Sequence, residues 1–145
     1  MKRFGNLYEK IISIENLRLA DQKARLGKLL STGVIKHDQK KDENIYKLNQ
    51  SLTDKTFKTS AYTVFKMITD NSKEREIYRL PYNPDRILHH AAMNILEPIW
   101  TSTLTADTYS CLKGRGIHGA ARKLKRQIKN AEETIIKNNK HYEFT

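Results

Sequence analysis

Ala61-Tyr62-Thr63-Val64-Phe65-Lys66-Met67-Ile68-Thr69, then Asp70-Asn71-Ser72, then Glu76-Ile77-Tyr78-Arg79-Leu80-Pro81 is the stretch that decides the fold. Its first segment is dominated by β-branched and aromatic side chains, which suit a pleated surface better than a helix. Asp-Asn-Ser is turn chemistry. Beyond it Ile77 alternates with Glu76 and Tyr78, so the two segments are expected to form a β-hairpin with both faces partly covered. Pro81, which lacks a ladder donor, ends the second strand.

Helical patterns surround this hairpin. After a short apolar start at Leu7, Ile11 and Ile12, Ser13 sits as an N-cap before Asn16, Leu17, Ala20 and Ala24, with Gly27 as the stop. Residues 28–37 contain Gly33 and no clear period, which predicts a loop. Ile45, Leu48 and Leu52 mark a second amphipathic helix over 40–53. Asn83-Pro84-Asp85 is a helix start, Asn as cap, Pro at the first position and Asp on the dipole, and Pro98 is expected to close that helix after Glu97. The last helix carries Ile117, Ala121, Leu124, Ile128, Ala131 and Ile135 in one seam, with Arg122, Lys125, Arg126 and Lys129 turned away from it. The expected class is α+β, mostly helical with one β-hairpin. The chain divides into a helical extension over 1–60 and the hairpin with its following helices over 61–145.

The charge is uneven. The 145 residues hold 27 Lys+Arg against 16 Asp+Glu, a net +11. Residues 1–60 hold 13 against 7, residues 61–112 hold 5 against 6, and residues 113–145 hold 9 against 3, which gives +6, −1 and +6. Two basic flanks around a balanced centre point to a folded middle with phosphate-facing arms, and so to nucleic acid. Solvated lysine-rich helices are the competing reading. One cysteine, Cys111, excludes an intramolecular disulfide and a cysteine-rich zinc site. With no apolar run of about 18 residues and no leader sequence, the expectation is a cytoplasmic chain without membrane contact.

The common catalytic signatures, a phosphate-cradling glycine loop, a Gly-x-Ser-x-Gly elbow and a His-Glu-x-x-His helix, are absent. Gly114-Arg115-Gly116 lets the backbone approach a partner while the guanidinium forks onto phosphate or a base, with Lys113 beside it; an ordinary turn before a helix reads equally well. His89 and His90 point about 100° apart on a helix and cannot share a metal by themselves. Asp85 and Arg86 read as a structural charge pair, and Trp100 as buried packing.

Taken in order, Lys73-Glu74-Arg75-Glu76-Ile77, Leu80-Pro81, Asp85-Arg86-Ile87-Leu88-His89-His90-Ala91, Leu96-Glu97-Pro98-Ile99 and Thr108-Tyr109-Ser110-Cys111-Leu112-Lys113-Gly114-Arg115-Gly116-Ile117-His118 resemble the first conserved blocks of bacterial reverse transcriptases. Asn6-Leu7-Tyr8, Ile14-Glu15-Asn16-Leu17 and the Tyr62–Phe65 strand resemble their N-terminal extension, most closely in the diversity-generating retroelement branch, with retron and group II intron types behind it. The resemblance implies the fingers subdomain and the entry to the palm of a right-hand polymerase. It assigns Arg75, with Lys66 as the weaker candidate, to the incoming triphosphate. Tyr109, Cys111, Lys113, Gly114 and Arg115 fall to the templating base and backbone, and the departures from the commoner Phe and Arg at Cys111 and Leu112 put base contact there in doubt. The basic ridge Arg122, Lys125, Arg126 and Lys129, read from helical spacing, is expected to face a phosphate backbone, an ordinary solvated helix face being the alternative.

Polymerase chemistry needs two metal ions held by acidic side chains. The Tyr-x-Asp-Asp block of the family is absent from this sequence, and His141-Tyr142-Glu143-Phe144-Thr145 looks like the strand that precedes the first metal aspartate. The expectation is therefore an N-terminal piece of an RNA-directed DNA polymerase. It has no catalytic or metal-binding residue of its own, and Mg2+ is the cofactor of the whole enzyme. The implied partners are an RNA template, a DNA or RNA primer, dNTP, an accessory protein of the retroelement, and a second copy paired through the strand edge at 141–145. The alternatives are a stand-alone RNA- or DNA-binding module and a docking domain for that accessory protein.

Overall fold

The computed structural model describes residues 3–68, 73–110, 112 and 114–142, with side chains up to Thr134. The chain is α+β and divides into two compact units, Met1–Ile99 and Trp100–Thr145.

In the first unit α1 (Leu7–Ile12) leads into α2 (Ile14–Ala24), whose start is capped as expected, Ser13 Oγ accepting the Asn16 backbone N–H at 3.3 Å. Leu17, Ala20 and Ala24, spaced three and four apart, bring one stripe of α2 into the core. Ile45, Leu48 and Leu52 do the same for α4 (Lys41–Thr53). Val34, Tyr82, Ile87 and Ala91 complete that core. Burial of each large aliphatic side chain contributes about 1.5–3 kcal/mol. Asn16 locks the α2 entry, its Nδ2 donating to the Ile11 and Ala91 carbonyls at 2.9 and 3.0 Å while its Oδ1 accepts from Asn94.

Several expectations are corrected here. Residues 28–37 are not all loop, because α3 occupies Thr32–Asp38. Its buried side chains are Val34 and His37, so the inward stripe is half polar and shows no apolar period. Gly33 is required there, since a Cβ on it would lie 2.9 Å from Tyr82 Cβ. The basic flank 1–60 is no arm, because it supplies seven of the ten buried apolar residues of the core. Residue 60 marks a change of element type, since the same cluster takes in Tyr82, Ile87 and Ala91.

β1 (Thr63–Ile68) and β2 (Glu74–Arg79) pair antiparallel with Val64 opposite Tyr78 and Met67 opposite Arg75. Asp70-Asn71-Ser72 lies outside the described residues. Both faces of the ribbon are open, with Ile77 alone half-buried, because two strands have no layer behind them. Asn83 does not cap a helix: its backbone is extended (φ −109°, ψ 132°) within a π-helical turn over Tyr82–Arg86, and α5 starts at Ile87. Asp85 is buried and accepts the Ser60 backbone N–H at 3.0 Å, whereas Arg86 is exposed, so the two form no pair among the described residues. Pro98 does not close α5, which runs Ile87–Thr103. A proline removes a single backbone donor, and bonding resumes beyond it with Leu104 N–H to Trp100 O at 3.1 Å. Trp100 is half exposed rather than buried.

The second unit holds the loop from Leu104 and α6 (Ile117–Tyr142). Gly114 takes a left-handed φ of +75°, as a tight turn into a helix requires. The apolar seam of α6 is present but open, with Ile117, Leu124 and Ile128 all more than half exposed. His141 and Tyr142 are helical, so the expected strand does not begin at these two positions. Residues 143–145 lie outside the described part. No helix among the described residues is long and apolar enough to cross a membrane.

Candidate nucleic-acid interface

The hairpin register sorts its side chains. Residues directly opposite each other in an antiparallel pair share a face, and neighbours along a strand alternate. One face therefore carries Thr63, Phe65, Met67, Arg75, Ile77 and Arg79, and the other Val64, Lys66, Ile68, Glu74, Glu76 and Tyr78. The two expected triphosphate contacts fall on opposite faces. Lys66 is 2.9 Å from Glu74, and Glu76 accepts from the Tyr78 hydroxyl at 3.1 Å. Arg75 stands exposed with no ion pair among the described residues, on the face that has no carboxylate. Sequence reasoning passed over Arg79, two residues on and on that same face. Counting period two from Arg75 is the signal that finds it.

The glycine loop is organised by its own arginine. Arg115 Nη1 donates to the Thr105, Ala106 and Thr108 carbonyls at 3.2, 3.4 and 3.2 Å, and the Lys123 ammonium pairs with Asp107 in the same loop. Arg115 thus shapes the turn that was expected to meet template. The Tyr109 ring lies over Gly119 of α6, where an added Cβ would meet it at an ordinary contact of 3.5 Å. Cys111 and Lys113 lie outside the described residues. On α6, Arg122, Lys125 and Arg126 are exposed without ion pairs among the described residues, and Lys129 reaches Glu133 at 3.9 Å.

Behind the hairpin root lies a buried polar centre that no sequence pattern announced. Asp21 is fully buried; its Oδ1 accepts from the Tyr82 hydroxyl at 2.6 Å and its Oδ2 lies 2.7 Å from Arg25 and 3.2 Å from Lys41. Burial alone would raise the Asp21 carboxyl, but the hydrogen bonds from Tyr82, Arg25 and Lys41 outweigh it and hold the group below the usual carboxylate range. Burial, then the bond to Asp21, pushes the Tyr82 hydroxyl up. Arg25 is held charged by Asp38 and Asp21. His37 is pushed down by burial, the pull of Asp21 notwithstanding. Asn44 Nδ2 donates to the His37 carbonyl and lies 3.3 Å from Nδ1, which leaves the ring proton on Nε2, 3.4 Å from Asp21 Oδ1. This centre fixes α2, α3, α4 and the turn after β2 against one another.

Among the described residues no three His, Cys, Asp or Glu side chains gather as a metal site. Compared with known proteins, the chain matches no family model and no curated protein.

Proposed function

We propose that this chain is the fingers portion of an RNA-directed DNA polymerase of the bacterial reverse transcriptase type, gripping an RNA template, its DNA or RNA primer and the incoming dNTP. The observation that carries the reading is Arg75, exposed and, among the described residues, without an ion pair or a carboxylate on its face of the hairpin, at the position the ordered sequence blocks assign to the triphosphate. A planar guanidinium there neutralises phosphate oxygens by paired hydrogen bonds, so its part in the reaction is positioning and charge stabilisation with no covalent step. Lys66, paired with Glu74 on the other face, is the weaker candidate for the same contact. Gly114 gives the backbone its close approach to a template strand, and the exposed Arg122, Lys125 and Arg126 meet phosphates further along. The metal-binding aspartates and Mg2+ belong to the remainder of such an enzyme, so this chain alone binds and does not polymerise.

Two measurements test the reading. The first is the reading frame beyond codon 145 of the gene: continuation into an Asp-bearing strand and a Tyr-x-Asp-Asp block supports it, and an immediate stop codon overturns the polymerase in favour of a stand-alone binding module. The second is photo-crosslinking of a radiolabelled dNTP to the chain on a primer–template, which Arg75→Ala should abolish and Lys66→Ala should leave in place.

A further inference from the structure

α6, at 26 residues and about 39 Å, is the longest of the described elements, and it uses its circumference in three ways. The loop of the same unit holds one side, with Tyr109 over Gly119 and Lys123 paired to Asp107. The cations Arg122, Lys125, Arg126 and Lys129 take a second side. The third is the seam Ile117, Ala121, Leu124, Ile128 and Ala131, and it stays open. Ile117, Leu124 and Ile128 are 79, 59 and 52% exposed, and both alanines are exposed with them. The chain's own loop therefore packs on α6 without covering its apolar side.

The spacing specifies what would cover it. Alternating steps of four and three put each seam residue at an a or d position of a heptad, and the sequence continues the series at Ile135. A helix that lies on a globular core carries a wider apolar stripe, and one that lies on lipid adds aromatic side chains to it. Here the positions flanking the seam are His118, Lys125 and Glu132 on one edge and Ala120, Gln127 and Thr134 on the other. A seam this narrow is the shape that a partner helix fills.

The edges select the partner and its direction. Lys125 and Glu132 are exposed, form no ion pair among the described residues, and stand seven positions apart, whereas side chains on one helix meet at three or four. In a parallel pair of identical helices the two unlike edges meet, so Lys125 would face Ala120 and Glu132 would face Gln127. In an antiparallel pair each edge meets its own copy, and a two-fold axis near Lys129 and Asn130 sets Lys125 of each chain beside Glu132 of the other. The same register lays Ile128 against Ala131 of the second copy, large on small, where a parallel register would stack alanine on alanine at positions 121 and 131. α6 is thus complementary to itself in one direction.

We infer that α6 pairs antiparallel with α6 of a second copy of this chain, the open seam forming a two-stranded coiled coil and Lys125 and Glu132 its ion pairs between copies. The cation side, apart from Lys125 at its edge, stays outside the contact. This pairing stands or falls apart from the polymerase reading, because a dimer's mass and the Arg75 crosslink are separate readouts.

Sedimentation equilibrium of the nucleic-acid-free full chain at up to about 100 μM tests the pairing, the expected mass being twice 16.9 kDa. Leu124→Glu and Ile128→Glu, both on the open seam, should each return the monomer. Lys125→Glu or Glu132→Lys alone sets like charges beside each other at two places and should weaken association about tenfold. The two changes together recreate the pairs with the order reversed and should restore the unmodified affinity to within about threefold. A monomer mass at every concentration overturns the inference, as does a dimer that Leu124→Glu leaves intact. Single charge reversals without effect, or a double exchange that fails to rescue, overturn it as well, since a parallel pair or another face would give those results. The double exchange keeps the composition and net charge of the unmodified chain, so its recovery decides even where Leu124→Glu loses helical circular dichroism.

Discussion

The Tyr82 hydroxyl donates to Asp21 Oδ1 at 2.6 Å and also reaches the Asp21 carbonyl at 3.1 Å, so one side chain from the turn after the hairpin fastens both the charge and the backbone of α2. Because Asp21 has no solvent contact, each donor it loses leaves a buried charge less compensated.

Tyr82→Phe keeps the ring and removes this donor. A hydrogen bond to a charged group contributes about 1.5–3 kcal/mol, and the variant is expected to lose that much stability by urea denaturation at pH 7. Asp21→Ala, which strands Arg25 and the Tyr82 hydroxyl, should cost more, about 3–5 kcal/mol. Loss below 0.5 kcal/mol in both would show that the centre is not under tension.

Acid should weaken the same centre in two stages. His37 and Asp21 both have folded pKa values below their ordinary ones of 6.5 and 3.8. A group depressed on folding binds its proton more tightly when unfolded, so its contribution is full above the ordinary value and is lost as pH falls through the folded one. Urea midpoints are expected to be level above pH 7, to decline below about 6.5, where the unfolded chain takes up the His37 proton before the folded one does, and to fall again below 3.8. His37→Gln should flatten the first decline relative to the unmodified chain.

Gly33→Ala places a methyl 2.9 Å from Tyr82 Cβ, where neither backbone can yield easily. Overpacking of this kind costs about 1–3 kcal/mol, read as a fall in thermal midpoint. Gly116→Ala meets nothing within 4 Å and serves as the neutral comparison.

On the hairpin, Arg75→Ala should weaken dNTP binding to the primer–template complex by about 10- to 100-fold, the equivalent of one charge-assisted contact. Lys66→Ala, on the other face, should stay within twofold. Equal losses would mean that the triphosphate reads the net charge of the ribbon and not its sidedness.

Arg115→Lys retains the charge but not the geometry that reaches three carbonyls from one nitrogen. Faster amide hydrogen exchange over residues 105–108 is the expected outcome, with α6 unaffected.

The parts of the fold legible in the sequence are those whose buried stripe is apolar. Leu17, Ala20 and Ala24, and Ile45, Leu48 and Leu52, announce α2 and α4, and the alternation around Phe65 and Ile77 announces the ribbon. α3 was hidden because half of its buried stripe is His37, whose place in the core depends on Asp21, sixteen residues earlier, and Tyr82, far beyond it. Pro98 misled because a helix survives the loss of one donor. For the candidate site, the resemblance of the ordered blocks points to Arg75, and strand period extends that to Arg79. Nothing local separates a free cation from a committed one: Lys28 and Arg25 stand three positions apart, and only the fold shows that Arg25 is held by Asp21 and Asp38.

The ribbon's division into an arginine face and a carboxylate face makes it intolerant of length change in a way that its exposure conceals. A one-residue shift of β2 against β1 would leave a pairable strand, yet would carry Glu74 and Glu76 to the face of Phe65 and Met67 and set Arg75 on the face of Lys66. Exposure therefore does not free the ribbon's length, because the separation of Arg75 from Glu74 and Glu76 rests on strand parity.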